Sequence, residues 1–81
     1  MRIDKFLKVS RILKRRSVAQ DACDGGRVKV NGRPAKPSCK IKENDIVELG
    51  FNSGTVKFRV LKIKETVKKE EADSLYEIIM E

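Results

Sequence analysis

The dipeptide Asn31-Gly32 follows the alternating run Val28-Lys29-Val30 and precedes Arg33. Both residues tolerate the positive φ that a two-residue type I′ turn demands, so the stretch carries the strongest short-range hairpin signal a sequence offers. Pro34 and Pro37 follow closely. Because proline cannot donate to a ladder, they confine the returning strand to a sheet edge or an irregular segment. A lone hairpin is marginal in water, so the rest of the chain must cover it.

Upstream, the spacing predicts two helices. Asp4 reads as the N-cap of the first, with Ile3, Phe6, Leu7 and Leu13 on one side and Lys5, Lys8 and Arg11 on the other. Ser17-Val18-Ala19-Gln20 reads as a capping box that starts the second at Ser17. Val18, Ala19, Ala22 and Cys23 form its small apolar face, and Gly25 or Gly26 ends it.

Downstream, Lys42-Glu43-Asn44-Asp45 reads as a turn into the strand Ile46–Leu49. Residues 50–54 form a second loop. Val56, Phe58 and Val60 alternate until Leu61 breaks the phase, which predicts a bulge or bend there. Ala72, Leu75, Tyr76 and Ile79 fall at helical spacing and predict a terminal amphipathic helix that either closes the core or offers a partner a helix. The first is favoured because the sheet needs cover, and it would put Glu70, Glu71, Asp73, Glu77 and Glu81 on the outer face.

Composition narrows the function. At 81 residues the chain is expected to be a single domain with little spare length for a catalytic cleft. Residues 1–42 carry thirteen Lys/Arg against three Asp, net +10, while residues 43–81 carry six against nine acids, net −3. Such asymmetry marks a surface for phosphates. Only Asp4 interrupts seven cations in residues 1–16, whereas a plain solvated helix face is usually balanced by acids. No apolar run approaches the roughly 20 residues of a membrane span, and MRIDKFLK lacks a signal peptide's apolar core, so a cytoplasmic location is expected.

Cys23 and Cys39 have neither CxxC spacing nor a histidine to complete a metal or nucleophilic site, and reduced, mostly buried thiols are expected. Without histidine, a phosphate-binding loop or clustered acids, an enzyme is disfavoured and no cofactor or metal is expected. Three of the four aromatics, Phe6, Phe51, Phe58 and Tyr76, fall in phase with core positions. That argues for recognition of folded RNA by shape and backbone over base stacking.

The order Arg2-Ile3-Asp4-Lys5-Phe6-Leu7, basic run, Ser17-x-x-Gln20-Asp21-Ala22, Gly26-Arg27-Val28-x-Val30-Asn31-Gly32, Asp45-x-Val47 resembles the RNA-binding domain named for the fourth small-subunit ribosomal protein. The resemblance covers residues 1–50, leaving 51–81 as an extension of strand and helix. It implies an α+β fold in which two N-terminal helices pack on a small, mostly antiparallel sheet. Helices and hairpin would together present a basic surface to structured RNA.

On that resemblance, Arg2, Lys5, Lys8, Arg11, Arg15, Arg16, Ser17 and Gln20 fall on the family's RNA-facing motif, followed by Arg27, Lys29 and Asn31 on the hairpin. Arg2 and Arg16 are the expected anchors, neither of them needed for a core. Arg15 and Arg16 also precede a helix start whose free N–H groups suit a phosphate.

A free-standing chain of this kind is similar to the stand-alone bacterial members that act in ribosome-associated quality control, and more distantly to the small heat-shock members that recycle blocked large subunits. The implied partners are large-subunit ribosomal RNA, peptidyl-tRNA and a factor that adds C-terminal alanine tails. The implied state is a monomer. The alternatives are another ribosome- or structured-RNA-binding module of the same fold, or a protein–protein adaptor.

Overall fold

In the computed structural model, which describes residues 1–80, the alternating segments form one antiparallel sheet. Glu81, placed above on the acidic outer face, lies outside the described residues. The helices are α1 (Ile3–Val9) and α2 (Arg16–Asp24). The strands are β1 (Val28–Val30), β2 (Arg33–Pro34), β3 (Ile46–Phe51), β4 (Gly54–Val60) and β5 (Tyr76–Ile78), with a 3₁₀ helix over Lys69–Leu75 before the last. Their order across the sheet is β2-β1-β3-β4-β5, an α+β architecture as expected.

Register explains which face is buried. Val28 opposes Leu49, Val47 opposes Phe58 and Val60 opposes Tyr76, so the apolar residues of four strands share one face. Ile3, Phe6 and Leu7 of α1 and Ala19, Ala22 and Cys23 of α2 cover that face. Phe6 stacks on Phe58 with ring centroids 6.2 Å apart, and Tyr76 meets Phe58 edge-on at 5.6 Å. The other face alternates in charge: Lys29 opposes Glu48, and Glu48 opposes Lys57.

The hairpin forms as its sequence demands, with Asn31 at φ 53° and Gly32 at φ 83°. β2 is two residues long and ends at Pro34 on the sheet edge. The chain start is pinned beside the segment that follows: Ile3 N–H donates to the Cys39 carbonyl and Ile41 N–H to the Met1 carbonyl, both at 2.8 Å.

Four local expectations are corrected. α1 begins at Ile3, so Asp4 sits inside the first turn, fully buried, and is not the N-cap. α2 begins at Arg16 with Arg15 at the N-cap, so Ser17 lies within the helix and no side chain caps it. Val18 points outward at 43% exposure, outside the apolar face. Leu61 does not bulge; β4 ends at Val60, and the Leu61 and Lys62 N–H groups both donate to the Leu75 carbonyl.

The tail also differs in form. Ala72 and Leu75 are buried, as expected of a segment closing the core, but over a 3₁₀ helix whose i, i+3 residues eclipse. Tyr76-Glu77-Ile78 then switches to strand and pairs with β4. An i, i+3 apolar pair fits either helix type, and the open edge of β4 supplies backbone partners that an isolated helix would lack.

Because Gly32 adopts a left-handed φ while its surroundings are open, Gly32→Val is expected to cost about 1–3 kcal/mol through backbone strain alone. Ser17→Ala, by contrast, is expected to stay within about 0.5 kcal/mol of wild type, since Ser17 caps nothing. Urea unfolding of the two variants checks both.

Candidate RNA-binding surface

The basic half of the chain is organised around a buried acid. Asp4 is fully inaccessible, and its Oδ1 accepts the Lys5 N–H at 2.8 Å. Its Oδ2 accepts Arg2 Nη2 at 3.1 Å, Arg16 Nε at 3.3 Å and Gln20 Nε2 at 3.1 Å. A buried carboxylate needs such partners, because uncompensated charge in the interior is costly. Burial pushes the Asp4 carboxyl up, but the Gln20 and Arg16 hydrogen bonds, the Lys5 N–H and the Arg16 charge outweigh it and hold the group below the usual carboxylate range.

This bond set answers two expectations at once. Gln20, which a capping box would turn back toward Ser17, instead reaches across to α1. Arg2 and Arg16 are not free of the core, since both neutralise Asp4, yet their side chains remain 45% and 41% exposed. Each guanidinium therefore shows one side to the acid and the other to solvent, a geometry its planar fork permits and a lysine's does not.

Beside this cluster a groove of about 930 Å³ runs between α1, the turn after it and the irregular segment 65–69. Lys5, Lys8, Arg11, Lys14, Arg16 and Lys69 line it, with a single acid, Glu65. Glu65 pairs with Lys5. Lys8, Arg11 and Lys14 make no ion pair among the described residues. Arg11 holds φ 62°, a left-handed conformation that costs an ordinary L-residue about 1–2 kcal/mol, where glycine would be unstrained. A cation occupies that position despite the strain.

The remaining candidates are dispersed. Arg15 and Ser17 are exposed at the start of α2, whose first N–H groups have no intrahelical partner. Arg27 is exposed between α2 and β1, whereas Lys29 projects from the sheet face opposite the helices. Asn31 is engaged internally: its Nδ2 donates to Asp45 Oδ1 at 3.1 Å and its Oδ1 accepts the Ile46 N–H at 2.9 Å. The fold thus gathers Lys5, Lys8, Arg11 and Arg16 in one groove and leaves Lys29 and Asn31 outside it. Lys14 and Lys69 join the groove although the sequence reading left them out. Lys14 was legible from its place in the basic run; Lys69 sits 53 residues beyond Arg16 in the acidic half, and no local signal marks it.

The cysteines are free, Cys23 buried and Cys39 partly so. Burial, then the charges of Asp4 and Asp24, push the Cys23 thiol up to about 11, so it carries no thiolate at neutral pH.

Comparison with known proteins identifies the family. Residues 1–47 match the model of the S4 domain, the same stretch that carries the motif order described above. The chain is 53% identical over its full length to the RQC P-site tRNA stabilizing factor of Streptococcus pneumoniae, covering 92% of that protein. It is 46% identical to the protein of the same name from Bacillus subtilis, again over its full length and 94% of the relative. Among solved structures, the trimeric heat shock protein 15 of Vibrio cholerae superposes with a TM-score of 0.90 at 31% identity, over 98% of this chain and 81% of that one.

Asp4→Ala is expected to destabilise the fold by about 2–3 kcal/mol through the loss of charge-assisted hydrogen bonds. Since the folded Asp4 carboxyl lies below its unfolded value, its contribution is full above about pH 4 and fades as pH falls through the folded value. Thermal unfolding between pH 7 and pH 2 is expected to show this acid loss in wild type and a shallower one in Asp4→Asn.

Proposed function

The chain belongs to the S4 domain family, and from that premise we propose that it is a non-catalytic, cytoplasmic RNA-binding protein acting on the large ribosomal subunit. Its RNA-facing residues are Arg2, Lys5, Lys8, Arg11, Arg15, Arg16, Ser17 and Gln20, with Arg27 next to them; Lys29, on the opposite face of the sheet, is a separate outlying contact. Asn31 contributes by fixing the hairpin. The observation that carries the reading is the groove itself, where six cations converge against a single lining acid. Lys8, Arg11, Lys14 and Lys69 make no ion pair among the described residues, and Arg11 stands at a strained backbone position. Self-repulsion of that kind is relieved by a polyanion, and the released counterions supply much of the affinity.

Full-length similarity to proteins named P-site tRNA stabilizing factors supports a more specific partner. The protein binds ribosomal RNA and P-site tRNA together, as a monomer, on subunits holding a stalled nascent chain. It keeps the tRNA in place while a second factor adds C-terminal alanines. The exposed halves of Arg2 and Arg16 are the anchors, and Asp4 sets their direction. The likeness to heat shock protein 15 favours a second reading, a large-subunit recycling role of the kind its resemblance group implies. Dependence on tRNA separates the two.

Sedimentation with purified large subunits, with and without P-site tRNA, tests the function. Binding is expected to be tighter with tRNA present and to fall steeply between about 50 and 200 mM salt. Binding that ignores both tRNA and salt overturns the proposal. Arg11→Gly is expected to bind more weakly while unfolding no more easily than wild type, since glycine relieves the left-handed strain. Loss of binding in that variant cannot be ascribed to loss of fold.

A further inference from the structure

The S4 match ends at residue 47, but the cationic groove does not. Its far wall is the segment after β4, where Glu65, Thr66, Val67 and Lys69 face α1 across the opening. Ile63 and Val67 pack against the core, and the Leu61 and Lys62 N–H groups are tied to the Leu75 carbonyl. The segment is thereby fixed at both ends while Glu65, Thr66 and Lys69 stay exposed. Lys69 has no acidic partner among the described residues, unlike Lys64, which pairs with Glu71 at 3.6 Å.

Resting on the RNA-binding reading, we infer that this segment is the second wall of the RNA site. Lys69 and the Thr66 hydroxyl contact a phosphodiester backbone lying in the groove, and Glu65 is a counter-ion that the backbone displaces from Lys5. The Lys5–Glu65 pair is solvent-exposed, with the Glu65 side chain 71% accessible, so a phosphate oxygen can take its place on the same ammonium at little cost. The Lys5 hydrogen bond and charge hold Glu65 below the usual carboxylate range, so it is ionised at neutral pH and opposes any incoming anion. A groove of about 930 Å³ lined by six cations suits a strand with several phosphates better than one small anion. Glu65 then lowers the affinity of any anion at Lys5 by a small step, which a strand offering several phosphates in a row offsets with its other contacts.

Titration of fluorescently labelled tRNA with the full-length protein, at several salt concentrations, tests the inference. Glu65→Gln is expected to tighten binding about threefold to fivefold, the size of one exposed charge contact. Lys69→Ala is expected to weaken binding by a similar factor and to lower the slope of log affinity against log salt by about one, with Lys69→Arg restoring both. Lys8→Ala, on the opposite wall, is the control for the groove as a whole. If Lys8→Ala weakens binding while Glu65→Gln and Lys69→Ala behave as wild type, the second wall is refuted and the RNA-binding reading stands. If the wild-type protein does not bind tRNA at any salt tested, that reading falls for this RNA and the inference with it.

Discussion

One buried carboxylate sets the geometry of the basic face. Asp4 takes hydrogen bonds from the chain start through Arg2, from its own helix through the Lys5 N–H and from α2 through Arg16 and Gln20. An apolar core brings two helices together without fixing their relative rotation tightly, because the hydrophobic effect is non-directional. Directional bonds to a charge that cannot be left unpaired fix it. The same bonds hold two guanidiniums half in and half out of the protein, so the interaction that orients the helices also aims the cations.

The second half of the chain supports this arrangement from behind. Phe58, stacked under Phe6 and flanked by Tyr76, joins α1 to the central and outer strands through a single aromatic column. Leu75 completes the core from the 3₁₀ helix and its carbonyl receives the chain leaving β4. The extension beyond residue 50 therefore supplies core and the outer strand, and it also carries a strap of chain back to α1, where Lys69 meets cations that lie far from it in sequence.

What could be read in advance followed from local chemistry. Asn31-Gly32 forces its turn whatever surrounds it, Pro34 limits β2 to an edge, and the alternation at Val56, Phe58 and Val60 is a strand pattern with no competing period. The family resemblance over residues 1–50 extended this to helix order and to the basic face. The misreadings occurred where a residue had two local uses and tertiary structure chose. Asp4 is a good N-cap by type, but the contact between α1 and α2, with Arg2, Arg16 and Gln20 as donors, stabilises it more as a buried acceptor. Gln20 followed it there, which left Ser17 without a capping box. At the tail, Ala72 and Leu75 satisfy either kind of helix, and only the open edge of β4 decides that Tyr76 onward is strand. The groove's far wall was illegible for a simpler reason: Lys69 lies among acids in sequence and among bases in space.

The strand order has a kinetic consequence. The hairpin with Arg33 lies at one edge of the sheet and β5 with Glu77 at the other, with the acidic 3₁₀ helix packed beside β5. The acidic side chains of the 3₁₀ helix thus stand next to the cationic groove that Lys69 helps to line, in a molecule whose principal extents are 29, 28 and 23 Å. In the field of a polyanion, an uneven charge distribution of this kind gives a torque as well as a pull, which under the proposed function turns the groove forward before contact. A larger share of collisions then begins in a productive pose, and association is fastest at low ionic strength, where the field reaches furthest.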